Sequence, residues 1–121
     1  MANKNQVLGQ VKVKIDGDLL ETDGQSTIEL GGPSREAVEG DYQAGAFKTK
    51  TNPSKVEATV LMKAGLDLVA LRAIDNATLT VEPDIGGVYI IRNAYVAEVI
   101  SFTTNDGKAK VVFMGPPAER V

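Results

Sequence analysis

The chain has 121 residues, a formal net charge of −3, 43% hydrophobic residues and 24% charged residues, values that are ordinary for one globular domain. It contains neither Cys nor His, which excludes a disulfide scaffold, thiolate chemistry and histidine-based catalysis. Acidic and basic residues are interspersed, so the sequence indicates no basic surface for nucleic acid. We expect neither a signal peptide nor a membrane-spanning helix, because no apolar run approaches the ~20 residues that a span requires.

The first part of the chain has the pattern of short strands. Apolar residues alternate with polar ones in Val11–Ile15, which predicts a half-buried strand. Asp16-Gly17 predicts a hairpin turn after this strand. A further turn at Asp23-Gly24 leads into a strand at Ser26–Leu30. A meander of three short strands is the simplest interpretation.

The segment Gly31–Asn52 is long for a connection inside a compact domain. It exceeds the ~12–15 residues beyond which a connection is usually functional or disordered. It contains Tyr42 and Phe47, although aromatic residues are scarce in this chain. Its acidic residues precede its basic ones, so these charges could pair within a hairpin arm or between neighbouring copies.

We expect contacts between subunits in this long extended loop, 31–52, and in a flexible N-terminal arm, Met1–Gln6. Exposed aromatic side chains in the loop would be unfavourable unless they docked on another surface. The predicted interface residues are Arg35, Glu36, Glu39, Asp41, Tyr42, Phe47, Lys48 and Lys50.

The next part of the chain combines strands with one helix. Ser54–Lys63 alternates and becomes apolar on both faces near its end, which predicts a central strand. Apolar residues recur at helical spacing across Leu66–Ile74, with Val69 widening the apolar stripe. Asp67 can cap this helix by accepting a hydrogen bond from a free N–H of the first turn. A strand at Thr78–Glu82 follows.

The stretch Gly86–Val96, GGVYIIRNAYV, is predicted to be a central strand because Val, Ile and Tyr suit a pleated surface. Its polar pair, Arg92-Asn93, could contact a ligand or a subunit. We favour the alternative in which Arg92 lies on the open face and Asn93 accommodates a bulge, since Asn tolerates unusual backbone angles.

The last part of the chain predicts more strands. Glu98–Thr103 could continue the sheet after a bend, and the Asn105-Asp106-Gly107 turn returns the chain through Lys108–Met114. Pro116-Pro117 is expected to end regular structure. The predicted fold class is therefore mainly β: one domain, 1–121, forming a small β-sandwich or barrel-like fold with one short α-helix packed on it and the long extended loop.

The sequence contains no pattern typical of a catalytic, cofactor or metal site. The acidic residues between Asp16 and Asp23 do not follow the calcium-loop spacing, and turn formation explains them better. Gly31-Gly32 and Gly86-Gly87 lack the spacing of phosphate-binding loops. We therefore predict no catalytic residues, no cofactor, no metal and no enzymatic activity.

Three segments resemble the tail tube proteins of Mu-like contractile-tailed phages. These are LDLVALRAIDNATLTVE, GGVYIIRNAYV and GKAKVVFMG, and the likeness is most specific over Leu66–Gly115. The front half matches more loosely, through its D-G turn and the S-R-E-x-V-E-G-D run that precedes a basic extended segment.

The resemblance implies a structural subunit that self-assembles into hexameric rings, which stack into a hollow tube in the virion tail after assembly in the host cytoplasm. Such a tube surrounds the tape measure protein, is wrapped by a contractile sheath, starts from baseplate or initiator proteins, and conducts DNA through its lumen. Tubes of type VI secretion systems and R-type bacteriocins are related, so a prophage-derived or bacteriocin particle is equally compatible. A monomeric β-sandwich that binds carbohydrate or lipid is the alternative from a different class. An enzyme that uses only carboxylates is a third.

Overall fold

The computed structural model describes residues 4–121, so half of the predicted N-terminal arm, Met1–Gln6, lies outside the described residues. The elements in chain order are β1 (Val11–Ile15), β2 (Asp18–Leu20), β3 (Thr27–Glu29), β4 (Gly32–Val38), β5 (Ala46–Asn52), β6 (Ser54–Leu61), α1 (Leu68–Arg72), β7 (Ala77–Pro83), β8 (Tyr89–Val96), β9 (Ser101–Thr103), β10 (Lys108–Gly115) and β11 (Glu119–Arg120). The mainly β fold class with one short helix is confirmed.

Nine of the strands form one sheet in the order β2-β1-β7-β8-β10-β6-β3, with β11 paired to β8 and β9 paired to β10. The segment after β2 crosses from one end of this order to the other. There the Leu61 N–H donates to the Glu21 carbonyl (2.8 Å) and the Asp23 N–H donates to the Thr59 carbonyl (3.0 Å). The two ends of the open sheet therefore meet along a short stretch, which gives it a barrel-like shape.

The core is aliphatic, with one large aromatic residue, and it draws on both halves of the sheet. Strict alternation in β6 buries its even-numbered residues from Ser54 to Val60, as predicted. Phe113 of β10 is 1% exposed and is the largest of the fully buried side chains in residues 4–121. The members of the core cluster are Val13, Ile15, Val56, Ala58, Val60, Leu71, Ala77, Leu79, Val81, Ile91, Ala94, Val111 and Phe113.

The helix forms where the sequence predicts it, and it is shorter than the predicted 66–74 range. The Asp67 carboxylate accepts from the N–H groups of Val69 (3.0 Å) and Ala70 (3.2 Å), so the predicted N-cap is confirmed. Leu71 is buried against the sheet, whereas Val69 is 60% exposed. The expectation that Val69 widens the buried stripe is wrong, because a helix of five residues turns only one narrow face to the sheet.

Strand β8 is central, as predicted, and it changes partner along its length. It pairs with β7 up to Ala94 and with β10 from Tyr95 onward. The change coincides with Asn93, whose φ of +57° lies in the left-handed region, and with a register shift opposite it. Arg92 is exposed. The favoured prediction for the polar pair, with Arg92 on the open face and Asn93 at a bulge, is therefore confirmed.

Two details of the predicted topology are wrong. Strand β3 pairs with β6 and not with β2, so the three-strand meander does not form. Pro116-Pro117 does not end regular structure, because β11 follows and pairs with β8. The long segment 31–52 takes the hairpin form that its sequence left open, since β4 and β5 pair over seven residues each. No helix within residues 4–121 is long and apolar enough to span a membrane.

Candidate assembly surface

Strands β4 and β5 form an antiparallel arm, which we define as residues 32–52. The arm is a two-stranded sheet of its own, and it pairs with none of the nine other strands in the part of the chain that the structure describes. Every residue from Pro33 to Thr51 is exposed. A hairpin of this kind is only marginally stable by itself, so such an arm is suited to docking on another surface.

One face of the arm is polar. Glu36 lies directly opposite Lys48, and their charged groups are 3.5 Å apart. Lys50 lies opposite Ser34 on the same face. Of the two pairings that the sequence left open, the chain therefore contains the one within the arm. Both side chains of the ion pair are about 70% exposed, at 74% and 68%, so it contributes little to stability and leaves both charges accessible.

The opposite face of the arm carries an aromatic residue. The Arg35 guanidinium lies 5.6 Å from the centre of the Phe47 ring, in a cation–π contact between diagonal neighbours. Phe47 is 57% exposed and lies opposite Ala37. This face therefore offers apolar area that nothing in residues 4–121 covers fully.

The tip of the arm is acidic and ends in a fully exposed tyrosine. The Gly40 N–H donates to the Gln43 carbonyl (2.8 Å), which turns the chain between the two strands. Tyr42 is 98% exposed beside Glu39 and Asp41. All eight predicted interface residues thus lie on one projecting element, and whether they contact another subunit stays a prediction.

A second exposed apolar surface lies beside the helix, and no sequence pattern predicts it. We define the groove as the depression of about 760 Å³ between α1 and the segment 96–102. Val99 is 95% exposed, and Phe102 of β9 is 58% exposed. Arg72 and Glu98 supply one charge of each sign to its lining. In the sequence these residues are recognisable only as hydrophobic, and hydrophobicity does not distinguish a core side chain from an exposed one.

The acidic residues near the first turns have structural partners. The Asp16 carboxylate accepts from the Thr78 N–H (2.9 Å), and the Asp23 carboxylate accepts from the Gln25 N–H (2.9 Å). The Gln25 N–H, and then Lys108 at 3.2 Å, lower the pKa of Asp23 despite partial desolvation of its carboxylate. No group of three or more potential metal ligands occurs within residues 4–121. These carboxylates therefore hold turns and strands in place.

The fold is shared with tubes of contractile injection systems. A chain of an extracellular contractile injection system, from a PVC sheath–tube complex in the extended state, superposes with a TM-score of 0.69 and 9% identity, covering 98% of this chain and 93% of its own length. A chain of the anti-feeding prophage cap, described as a tube-terminating cap, also has a TM-score of 0.69 and 9% identity, covering 100% and 94%. The fold is therefore of a class found in the sheath–tube complexes and caps of contractile injection systems.

The family follows from sequence. The family described as phage tail tube protein matches residues 4–120. The Mu-like prophage FluMu tail tube protein of Haemophilus influenzae is 34% identical over 116 residues, covering 96% of this chain and 97% of that protein. The chain belongs to the phage tail tube protein family, and the resemblance found in its sequence is confirmed.

Proposed function

We propose that this chain assembles into hexameric rings that stack into the inner tube of a contractile phage tail, and that the arm makes contacts between subunits. The observation that carries the proposal is the arm itself, which is exposed from Pro33 to Thr51 and presents Tyr42 at its tip. Large exposed apolar patches on soluble chains mark interaction sites. Membership of the tail tube family supports a role in assembly for the exposed surface of the arm.

Head-to-tail assembly requires two different surfaces on each subunit, because the contact patch on one copy meets another patch on the next. The arm is one such surface, and the groove beside α1 is another exposed apolar surface. We assign the groove to a second copy of this chain. Its mixed charges, Arg72 and Glu98, complement the acidic tip and the basic stem of the arm.

In this role the tube surrounds the tape measure protein, lies inside the sheath, starts from baseplate or initiator proteins, and lets DNA pass during ejection. The charges of the chain fit a lumen through which DNA slides. Three of the five lysines on the strands of the nine-stranded sheet, at positions 14, 55 and 108, each pair with a carboxylate within 3.2 Å, and the net charge is −3. Free lysines along a lumen would hold phosphates and retard DNA. The role is structural and involves no catalytic step, whether the particle is an intact phage or derived from a prophage.

Sizing and imaging of the purified chain test the proposal. We expect a subunit of 12.8 kDa to form rings or tubes once tail initiator proteins are supplied, as seen by negative-stain microscopy. Seeding matters because a subunit can stay monomeric until nucleated. A chain that remains monomeric at every concentration, and that forms neither rings nor tubes on initiators, would contradict the proposal and favour a monomeric binding module.

A further inference from the structure

The C-terminal segment passes the root of the arm, which we define as residues 31–34 and 52–54. It forms hydrogen bonds to the chain just before and just after the arm. Just before the arm, the Leu30 carbonyl accepts from the Ala118 N–H at 2.8 Å. Just after the arm, the Ser54 hydroxyl donates to the Pro116 carbonyl at 2.7 Å, and the Gly115 carbonyl is 3.2 Å away. One segment of four residues, 115–118, therefore holds the strand that enters the arm and the strand that leaves it. We call this segment the clasp.

Ser54 stands out among the buried residues. It is 0% exposed, and it is the one polar side chain in the buried set for residues 4–121. A hydroxyl is retained in such a place when its hydrogen bonds matter, because an apolar side chain of similar size avoids the desolvation of a polar group. The hydroxyl reaches main-chain carbonyls of the clasp, so its effect is to fix one segment of backbone against another.

The two strands also touch at the root of the arm. Gly31 has a φ of +74°, and a Cβ on it would lie 2.7 Å from the backbone of Pro53 and Ser54. The Asn52 side-chain amide donates to the Ser34 hydroxyl (2.8 Å) and to the Gly32 carbonyl (3.3 Å). These contacts hold the two strands of the arm to each other. They do not fix the direction of the arm relative to the sheet, because all of them lie within the root.

The clasp is anchored at its other end to the centre of the sheet. Beyond it, β11 pairs with β8, and the Val121 N–H donates to the Val88 carbonyl at 2.8 Å. The preceding strand β10 pairs with β6 along its whole length. The clasp thus lies between two fixed strands and forms hydrogen bonds at both ends of the arm. It adds to the pairing of β3 with β6, which joins the same two sides of the arm within the sheet.

We infer that the clasp sets the direction in which the arm projects, and that Ser54 is a positioning residue for assembly. Within residues 4–121 the arm is exposed from Pro33 to Thr51, so the contacts at its root define its angle. A defined angle matters because the arm of every subunit must meet its neighbour in the same geometry. A preorganised arm loses less conformational entropy on docking than a swinging one. The assembly part of this inference rests on the proposed function, whereas the geometric part does not.

Distance measurement on the unassembled full-length chain tests the geometric part. The chain has no Cys, so Ala44→Cys at the tip and Lys12→Cys on β1 accept spin labels at two defined, exposed positions. We expect a narrow distance distribution in this labelled parent and a broader or displaced one after Ser54→Ala. Ser101→Ala is the matched control, because it removes the same hydroxyl from an exposed strand position and should leave the distribution unchanged.

A second variant keeps the test informative if Ser54→Ala does not fold. Ala118→Pro removes the N–H that donates to Leu30 and leaves the buried serine intact. An unchanged distribution in a folded clasp variant, even with a lower melting temperature, would overturn the inference, because Ser54 would then serve stability alone. A broader distribution with normal seeded tube growth would overturn the role in assembly. If the parent chain itself forms no tubes on initiators, the proposed function fails while the distance result still decides the geometry.

Discussion

Arg92 of β8 pairs with Glu119 of β11, with the guanidinium Nε 3.3 Å from the carboxylate Oε2. The pair connects the most recognisable stretch of the sequence to the last strand of the chain. It also explains why a charged residue stands inside a strand of Val, Ile and Tyr, since Arg92 lies on the open face where β11 runs alongside. The pair is exposed at both ends, at 65% for each side chain, so water and salt reach both charges.

Removing this ion pair should change stability only slightly. We expect Arg92→Ala to lower the free energy of unfolding by about 1 kcal/mol or less, because exposed ion pairs are screened by water and salt. Chemical denaturation at low and high salt would measure it, and the small effect should shrink further at high salt. A loss of several kcal/mol would contradict this expectation and would mean that Arg92 fixes β11 and the clasp.

The backbone of Asn93 should matter more than its side chain. With φ at +57°, Asn93→Gly should leave stability nearly unchanged, whereas Asn93→Val should cost about 1–3 kcal/mol because a β-branched residue is strained there. The two variants are matched controls for each other, since position 93 is exposed and neither change creates a cavity. Equal stability of both variants in denaturant unfolding would mean that the bulge relaxes without strain.

Local signals predicted much of the fold. The Asp16-Gly17 turn, the alternation in β6 and the Asp67 cap each act between residues close in sequence, and all three are present in the structure. The pairing of β3 with β6 joins segments about thirty residues apart. A strand of three residues carries too little pattern to choose its partner, so the tertiary packing of the sheet decided this pairing.

The candidate site was predictable only in part. Charge order and aromatic content pointed to the arm and its eight residues, because an exposed Tyr42 needs an explanation. The groove went undetected because Val99 and Phe102 are hydrophobic residues of the kind found in cores. They are exposed because of the path that the chain takes after β8. The clasp was invisible in the sequence, since apart from the Ser54 hydroxyl its contacts to the arm are made by main-chain carbonyls and one N–H, which leave no sequence pattern.

Asp23 should make the fold sensitive to acid. Its pKa is lowered in the folded chain by the Gln25 N–H and by Lys108, so the folded state binds its proton less readily than the unfolded state. The stability that Asp23 supplies is therefore fully present above its ordinary pKa of 3.8 and is lost as the pH falls through the lower folded value. The stability of the Asp23→Asn variant should therefore fall less steeply than that of the parent as the pH is lowered through this range.

Lys108→Met serves as the comparison for that pH series. It should reduce the acid sensitivity less than Asp23→Asn does, because the bond from the Gln25 N–H, the larger cause of the shift, stays in place. Thermal melts between about pH 5 and pH 2 would measure both variants. Identical pH profiles for the parent and Asp23→Asn would show that Asp23 does not contribute to the acid response.

Introducing a charge into the groove should separate folding from assembly. Val99 is 95% exposed, so Val99→Asp should change the free energy of unfolding by less than about 0.5 kcal/mol. It should nevertheless reduce seeded tube growth, because a carboxylate would have to lose its water when a second copy covers the groove. Ile85→Asp in the turn before β8 is the control, being an exposed apolar residue outside both the arm and the groove. Normal growth of the Val99→Asp tubes would remove the groove from the interface.

Truncating the aromatic residues of the arm should leave a folded subunit that assembles poorly. Tyr42 and Phe47 are 98% and 57% exposed, so replacing both by Ala removes little buried area from the subunit. The melting temperature should therefore stay close to that of the parent. Seeded tube growth should fall sharply, because exposed aromatic residues that become buried at an interface carry a large share of its binding energy.

Thr49→Ala is the matched control for the arm, since it shortens an exposed side chain on the same face as Phe47 without removing an aromatic ring. Circular dichroism melts would confirm folding, and negative-stain counts of tube length on initiators would measure growth. Tubes of normal length from the Tyr42→Ala/Phe47→Ala chain would refute the arm as the subunit contact. Short tubes from the double variant and from Thr49→Ala alike would show that the arm is sensitive to any change. The aromatic rings would then have no special part in docking.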